Sequence, residues 1–114
     1  MKQLVAALAV SLICGAATGA QDWSSFGKTD CGQWTLATPG DKDIYRTWLA
    51  GMLSGMNAAR YLWQKNTNDP LQYISMDQAS VWMDNFCKIN PLEKLTTGGM
   101  TLFDQLMGRV NVPK

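Results

Sequence analysis

Few residues in this chain have the type and spacing for chemistry. There is no His among the 114 residues, so the commonest general base, proton shuttle and zinc ligand is missing. Ser-His-Asp and Cys-His catalysis are excluded with it. Ser54 sits in Gly51-Met52-Leu53-Ser54-Gly55, off register for a nucleophile elbow and inside a helical pattern. A glycosidase needs two placed carboxyl groups, and Asp77 and Asp84, seven apart, share a helix face. A solvated face is the simpler reading. Asn66 and Asn68 are spaced like calcium ligands, but Pro70 stands where the third ligand belongs. No glycine-rich loop that would cradle phosphate is present. The formal charge of +1 gives no basic footprint for nucleic acid. The expectation is a protein that is not an enzyme, with no catalytic residues, metal or cofactor.

The remaining reactive groups are three cysteines, Cys14, Cys31 and Cys87, and the first belongs to an address. Lys2, the apolar run Leu4 to Ala17 and the small residues Thr18-Gly19-Ala20 read as a secretory signal peptide, residues 1–20, cleaved after Ala20. The run is short for a membrane span. Ile13 before Cys14 argues against a lipoprotein box. Cleavage leaves residues 21–114 as a single domain, without stable membrane insertion. It removes Lys2 and Cys14, leaving nine basic against nine acidic residues and two cysteines. A pair in an oxidising compartment reads as one disulfide, Cys31 to Cys87.

Elements to carry these residues follow from periodicity. Residues 21–42 read as irregular, punctuated by Gly27, Gly32, Pro39 and Gly40, with Trp23, Phe26 and Trp34 pinned onto the domain. A short helix near Cys31 to Leu36 fits within them. The first main helix is expected over about 43–65, capped by Asp41 or Asp43. Ile44, Trp48, Gly51, Gly55, Ala58 and Leu62 form one apolar row. Tyr45, Leu49, Met52, Met56, Ala59 and Trp63 form another. Two adjoining apolar faces predict a central helix covered by its neighbours. Arg46, Asn57 and Arg60 interrupt the run too often for a membrane span. Turn residues from Asn66 to Pro70 end this helix.

The second helix is expected over about 75–88, opened by Ser75 or Asp77. Ala79, Trp82, Met83, Phe86 and Cys87 fall on its buried face. Asn90-Pro91-Leu92-Glu93 reads as the start of a third helix over about 91–109, with Asn90 as cap and Glu93 reaching back. Its stripe is Leu92, Leu95, Gly99, Leu102, Leu106 and Val110. Gly98 and Gly99 inside it cost about 1 kcal/mol each relative to Ala. Packing of this pair on the Gly51/Gly55 ridge is the expected compensation. The fold class is therefore all-α: a small bundle of three main helices, with an irregular N-terminal segment tied on by one disulfide.

Six methionines after residue 50 and five tryptophans in the chain supply core and adaptable surface together. Arg60, Tyr61 and Trp63, near the end of the long helix, are the candidate partner surface, because Trp, Tyr and Arg dominate interface hot spots.

The motif order supports a resemblance. Cys31-Gly32-Gln33-Trp34 is followed by Trp48-Leu49-Ala50-Gly51-Met52-Leu53-Ser54-Gly55, then by Trp82-Met83-Asp84-Asn85-Phe86-Cys87-Lys88-Ile89-Asn90-Pro91-Leu92. This resembles a widespread group of small exported bacterial proteins, mostly of unknown function. It is similar in layout to the HdeA acid-stress chaperones and the type VI secretion amidase immunity proteins. The resemblance spans roughly residues 31 to 107. It implies that Cys31 and Cys87 form the framework disulfide and that Pro91 marks the turn, and it transfers no functional residue. Three functions follow as expectations for a periplasmic or secreted bacterial protein. The first is a protein-binding module, such as an immunity-type inhibitor of a cognate toxin, using a helical surface or a homodimer interface. The second is an HdeA-like acid-stress chaperone, and the third a structural subunit of the envelope.

Overall fold

The structure, a computed structural model, describes residues 29–65 and 67–110. The expected leader, and the expected pinning of Trp23 and Phe26, lie outside the described residues. Four helices follow in order: α1 (Cys31–Thr35), α2 (Pro39–Gln64), α3 (Met76–Ile89) and α4 (Leu95–Val110). The fold is all-α, and a disulfide between Cys31 and Cys87, with Cα atoms 4.9 Å apart, ties the N-terminal segment to α3.

Local chemistry accounts for most boundaries. Asp30 caps α1, and Gln33 reaches back to the Asp30 backbone, completing a capping box. Ser75 and Gln78 repeat the device at α3. The long helix begins earlier than expected. Thr38 is its cap, with Oγ1 accepting from Asp41 N at 3.3 Å, and Pro39 occupies the first turn. Proline is harmless there, because its missing N–H has no partner within the helix. Asp41 and Asp43 therefore lie inside α2 rather than capping it. Lys65, at φ 52°, ends the helix in the left-handed conformation.

The last helix begins later than its sequence signal. Asn90 closes α3 instead of opening α4: its backbone N–H and its side-chain amide both donate to Phe86 O. Residues 91–93 form a turn, closed by Glu93 N donating to Asn90 O at 3.1 Å. The backbone of 93–95 is engaged by the N-terminal segment, through Cys31 N to Glu93 O at 2.9 Å and Leu95 N to Thr29 O at 3.0 Å. This bridge between Asp30 and Lys94 uses the groups that a helix start at Pro91 would have needed. Leu92 consequently leaves the apolar stripe and is 97% exposed.

The core is made of Cys31, Trp34, Leu49, Leu53, Ala79, Met83, Cys87, Leu95, Leu102, Phe103 and Leu106. Tyr45, Trp48, Met56, Trp82 and Phe86 pack around it. Trp82 stacks on Phe86 with centroids 5.3 Å apart and donates to Gln105 Oε1 at 2.9 Å, joining α3 to α4. Trp34 is fully buried, so its indole N–H needs an acceptor. Asp84 Oδ1 provides one at 2.7 Å. The same oxygen lies 3.3 Å from Lys42 Nζ, which donates to Trp34 O at 2.7 Å and sits 4.2 Å over the indole ring. One carboxylate thus links α1, α2 and α3. Asp84→Ala should lower the unfolding free energy by about 2 kcal/mol, because it orphans a buried donor. Asp84→Asn, which keeps an acceptor, should cost less than half of that. Chemical denaturation of the two variants checks the order.

Two packing expectations are corrected. The long helix is not covered all round: its buried residues are Leu49, Leu53 and Arg60. The glycine ridge is not a seam among the described residues either, since a Cβ placed on Gly51 or Gly55 would meet none of them within 4 Å. Gly51 is two residues from Leu49, about 200° around the helix, and faces away from the bundle. The other glycine pair is packed, but against different groups. Gly98 lies against Met83 and Phe86 of α3, and Gly99 against Met52 and Leu49 of α2.

Candidate partner surface at the end of the long helix

Asp77, Asp84 and the two described cysteines all have structural partners. Asp77 accepts from Arg46 at 2.6 Å, and Asp84 serves Trp34 and Lys42 as described. The two cysteines are joined. Among the described residues, no group of three or more His, Cys, Asp or Glu could hold a metal ion. Likewise, no helix among them is long and apolar enough to cross a membrane.

The three residues singled out on the long helix are separated by the structure. Arg60 is buried, with 7% exposure, and is therefore not part of an accessible hot spot. Its Nη2 donates to Asn68 O and approaches Asn57 Oδ1 at 3.3 Å. Asn57 Nδ2 in turn donates to Asp69 Oδ1 at 2.8 Å, and Leu71 N donates to that same oxygen at 2.9 Å. Together these bonds fasten the 67–71 connection onto the last turns of α2. Among the described residues, Arg60 Nε and Nη1 are buried without a hydrogen-bond partner. The expectation of an accessible Arg60 rests on its residue type, which is frequent in interface hot spots. The carbonyl and amide acceptors that hold it inside come from a connection with no periodicity, so the pattern of the helix carried no sign of them.

Tyr61 and Trp63 do face solvent, at 55% and 83% exposure. Leu62 between them is 60% exposed, which makes three consecutive large side chains open at the end of one helix. Beside them is an open cleft of about 540 Å³, lined among others by Ser54, Asn57, Ala58, Tyr61, Thr67 and Asp69. The buried Arg60 and its bonds form the wall that holds this cleft in shape. The aromatic side chains therefore project from a rigid support, which lowers the entropy cost of binding through them.

A second open groove was not anticipated from the sequence. It has a volume of about 740 Å³ and lies over the disulfide, with Gly32, Thr35, Leu36, Lys42, Lys88 and Pro91 among its lining residues. Leu36 is almost fully exposed at its edge. The available signal was Leu36 directly after the short α1, where an apolar residue has no helical face to join.

Comparison with known proteins finds no matching family model, no matching curated protein and no matching solved structure.

Proposed function

We propose that this chain is a small exported, non-enzymatic protein-binding module, of the kind that inhibits a cognate toxin. The observation that carries this reading is the run Tyr61-Leu62-Trp63, exposed on the last turn of a helix anchored in the core. An exposed Trp on a rigid support loses little entropy on binding and buries a large apolar area. The disulfide supports export, because such bonds persist in oxidising compartments. The order of Cys, glycine-helix and Asn-Pro motifs supports an immunity-type role by resemblance.

The test uses the disulfide-bonded chain from residue 21 as bait in a periplasmic extract, with mass spectrometry of what it holds. One stoichiometric partner is expected. Trp63→Ala should weaken that complex by tenfold or more, about 1.4 kcal/mol, while leaving thermal stability unchanged. Two results would count against the reading: capture of many clients only in acid, which is chaperone behaviour, or full capture by the Trp63→Ala protein.

A further inference from the structure

The outward face of α2 is built the wrong way round for a helix that ends at water. Between Ile44 and Leu62 the charged residues are Arg46 and Arg60. Neither lies on the outward side: Arg46 leans across to Asp77 on α3 in a surface ion pair, and Arg60 turns into the wall of the cleft. The solvent side of the same stretch carries Ile44, Thr47, Gly51, Ser54, Gly55, Ala58 and Leu62, all exposed and none charged. Ile44 and Leu62 are at least 60% exposed. A surface helix ordinarily puts its charges on this side.

The order of these residues identifies the occupant. Ile44, Gly51, Gly55 and Leu62 are separated by steps of seven, four and seven, which keeps them on one stripe. The spacing reads the same in both directions: large, small, small, large. A second copy laid antiparallel across a two-fold axis near residue 53 would set Ile44 against Leu62 and Gly51 against Gly55. An isologous interface requires this self-complementarity. The charges at the ends agree with it. Asp43 lies just before the stripe and Lys65 just after it, both exposed; the same axis sets Asp43 level with residue 63 of the other copy, two residues or about 3 Å along the helix from Lys65, within reach of that long side chain. Nothing within 4 Å of a Cβ on Gly51 or Gly55 leaves the centre open for close approach of the helices.

We infer that the outer face of α2 is a homodimer interface, in which two copies of this chain pair their long helices antiparallel. Leu62 is covered in this dimer, whereas Trp63, about 100° around the helix from it, lies off the stripe at its rim. The inference does not rest on the proposed partner surface.

Sedimentation equilibrium of the oxidised chain from residue 21 should show a monomer–dimer equilibrium across micromolar to millimolar protein. Gly55→Glu should raise the dimer dissociation constant on the order of a hundredfold, since each copy would bring a charge to the dry centre. Its melting temperature as a monomer should not fall, because the added side chain enters open space. Independently of that variant, mixing Ile44→Cys protein with Leu62→Cys protein and a short thiol cross-linker should give the mixed dimer, with little self-linking of either alone. A wild-type protein that stays monomeric throughout would overturn the inference. So would a Gly55→Glu protein that dimerises normally, or self-linking that exceeds mixed linking. A monomer that loses its protein partner on Gly55→Glu would also overturn it, and would give this face to that partner.

Discussion

Replacing Cys31 and Cys87 together by Ser should lower the unfolding free energy by about 4 kcal/mol. The bond closes a loop of 56 residues, and the chain-entropy relation gives that magnitude for such a loop. The number is large relative to the 5–15 kcal/mol typical of whole domains, and this domain is small. Its effect should also be local. The five-residue α1 is too short to persist unaided, and it holds its place through the disulfide, the burial of Trp34 and the bridge from Asp30 to Lys94. Without the bond, the burial of Trp34, its two polar links to Asp84 and Lys42, and the bridge from Asp30 to Lys94 are left to oppose its release. For a domain near 100 residues, 1 kcal/mol corresponds to roughly 4–8 °C, so the melting temperature should drop by about 15–30 °C. Circular dichroism melts of the double variant, and of the parent with and without reductant, measure this directly. A drop below about 5 °C would mean that the α1 contacts alone suffice.

That bond was readable from the pair of cysteines that remains beyond the expected leader, and the face of α3 that bears Cys87 from its periodicity. Ala79, Met83 and Cys87 recur at helical spacing, and all three are buried. The start of α3 was equally local, since Ser75 and Gln78 satisfy each other's backbone within four residues. Where the sequence misled, the deciding contact came from far along the chain. Asn90-Pro91-Leu92-Glu93 has every local mark of a helix start, yet Thr29 and Cys31 bond the backbone at Leu95 and Glu93. Local signals at 90–93 contain no trace of a segment sixty residues earlier.

The candidate surface was legible in part for a related reason. Residue type identified Arg60, Tyr61 and Trp63 as common in interface hot spots, but type alone cannot say which way a helix turns. Arg60, one residue away, turns inward because Asn57 and the 67–71 connection offer it oxygen acceptors. The two apolar rows of α2 posed the same difficulty on a larger scale. Both looked fit for burial, and the bundle uses the row with Leu49, Met52 and Met56. The row with Ile44, Gly51, Gly55 and Leu62 was read as core because apolar periodicity reports burial without saying by what. Among the described residues, nothing buries Ile44, Gly51, Gly55 or Leu62.

The second glycine pair tests how tightly the bundle is closed. Gly98→Leu should cost about 3 kcal/mol or more, a larger loss than either polar variant at Asp84. A Cβ at position 98 would lie 2.6 Å from Met83 Sδ, 2.9 Å from Met83 Cε and 3.0 Å from Phe86 Cδ1. Met83 is fully buried, so its flexible thioether has no vacant space to move into, and overpacking of this kind typically costs 1–3 kcal/mol for small increments. Leucine adds three further carbons to that collision. The helix-propensity gain on replacing a glycine, up to about 1 kcal/mol, offsets only part. Gly99 separates the two effects. Its Cβ would also approach a methionine, at 2.7 Å from Met52 Sδ, but Met52 is half-buried and can swing toward solvent. Gly99→Ala should therefore be near neutral, where Gly98→Ala destabilises by about 1 kcal/mol. Urea midpoints for the three variants give the comparison. If Gly98→Ala were as stable as Gly99→Ala, the α3–α4 contact would be looser than the close approach of Gly98 to Met83 requires.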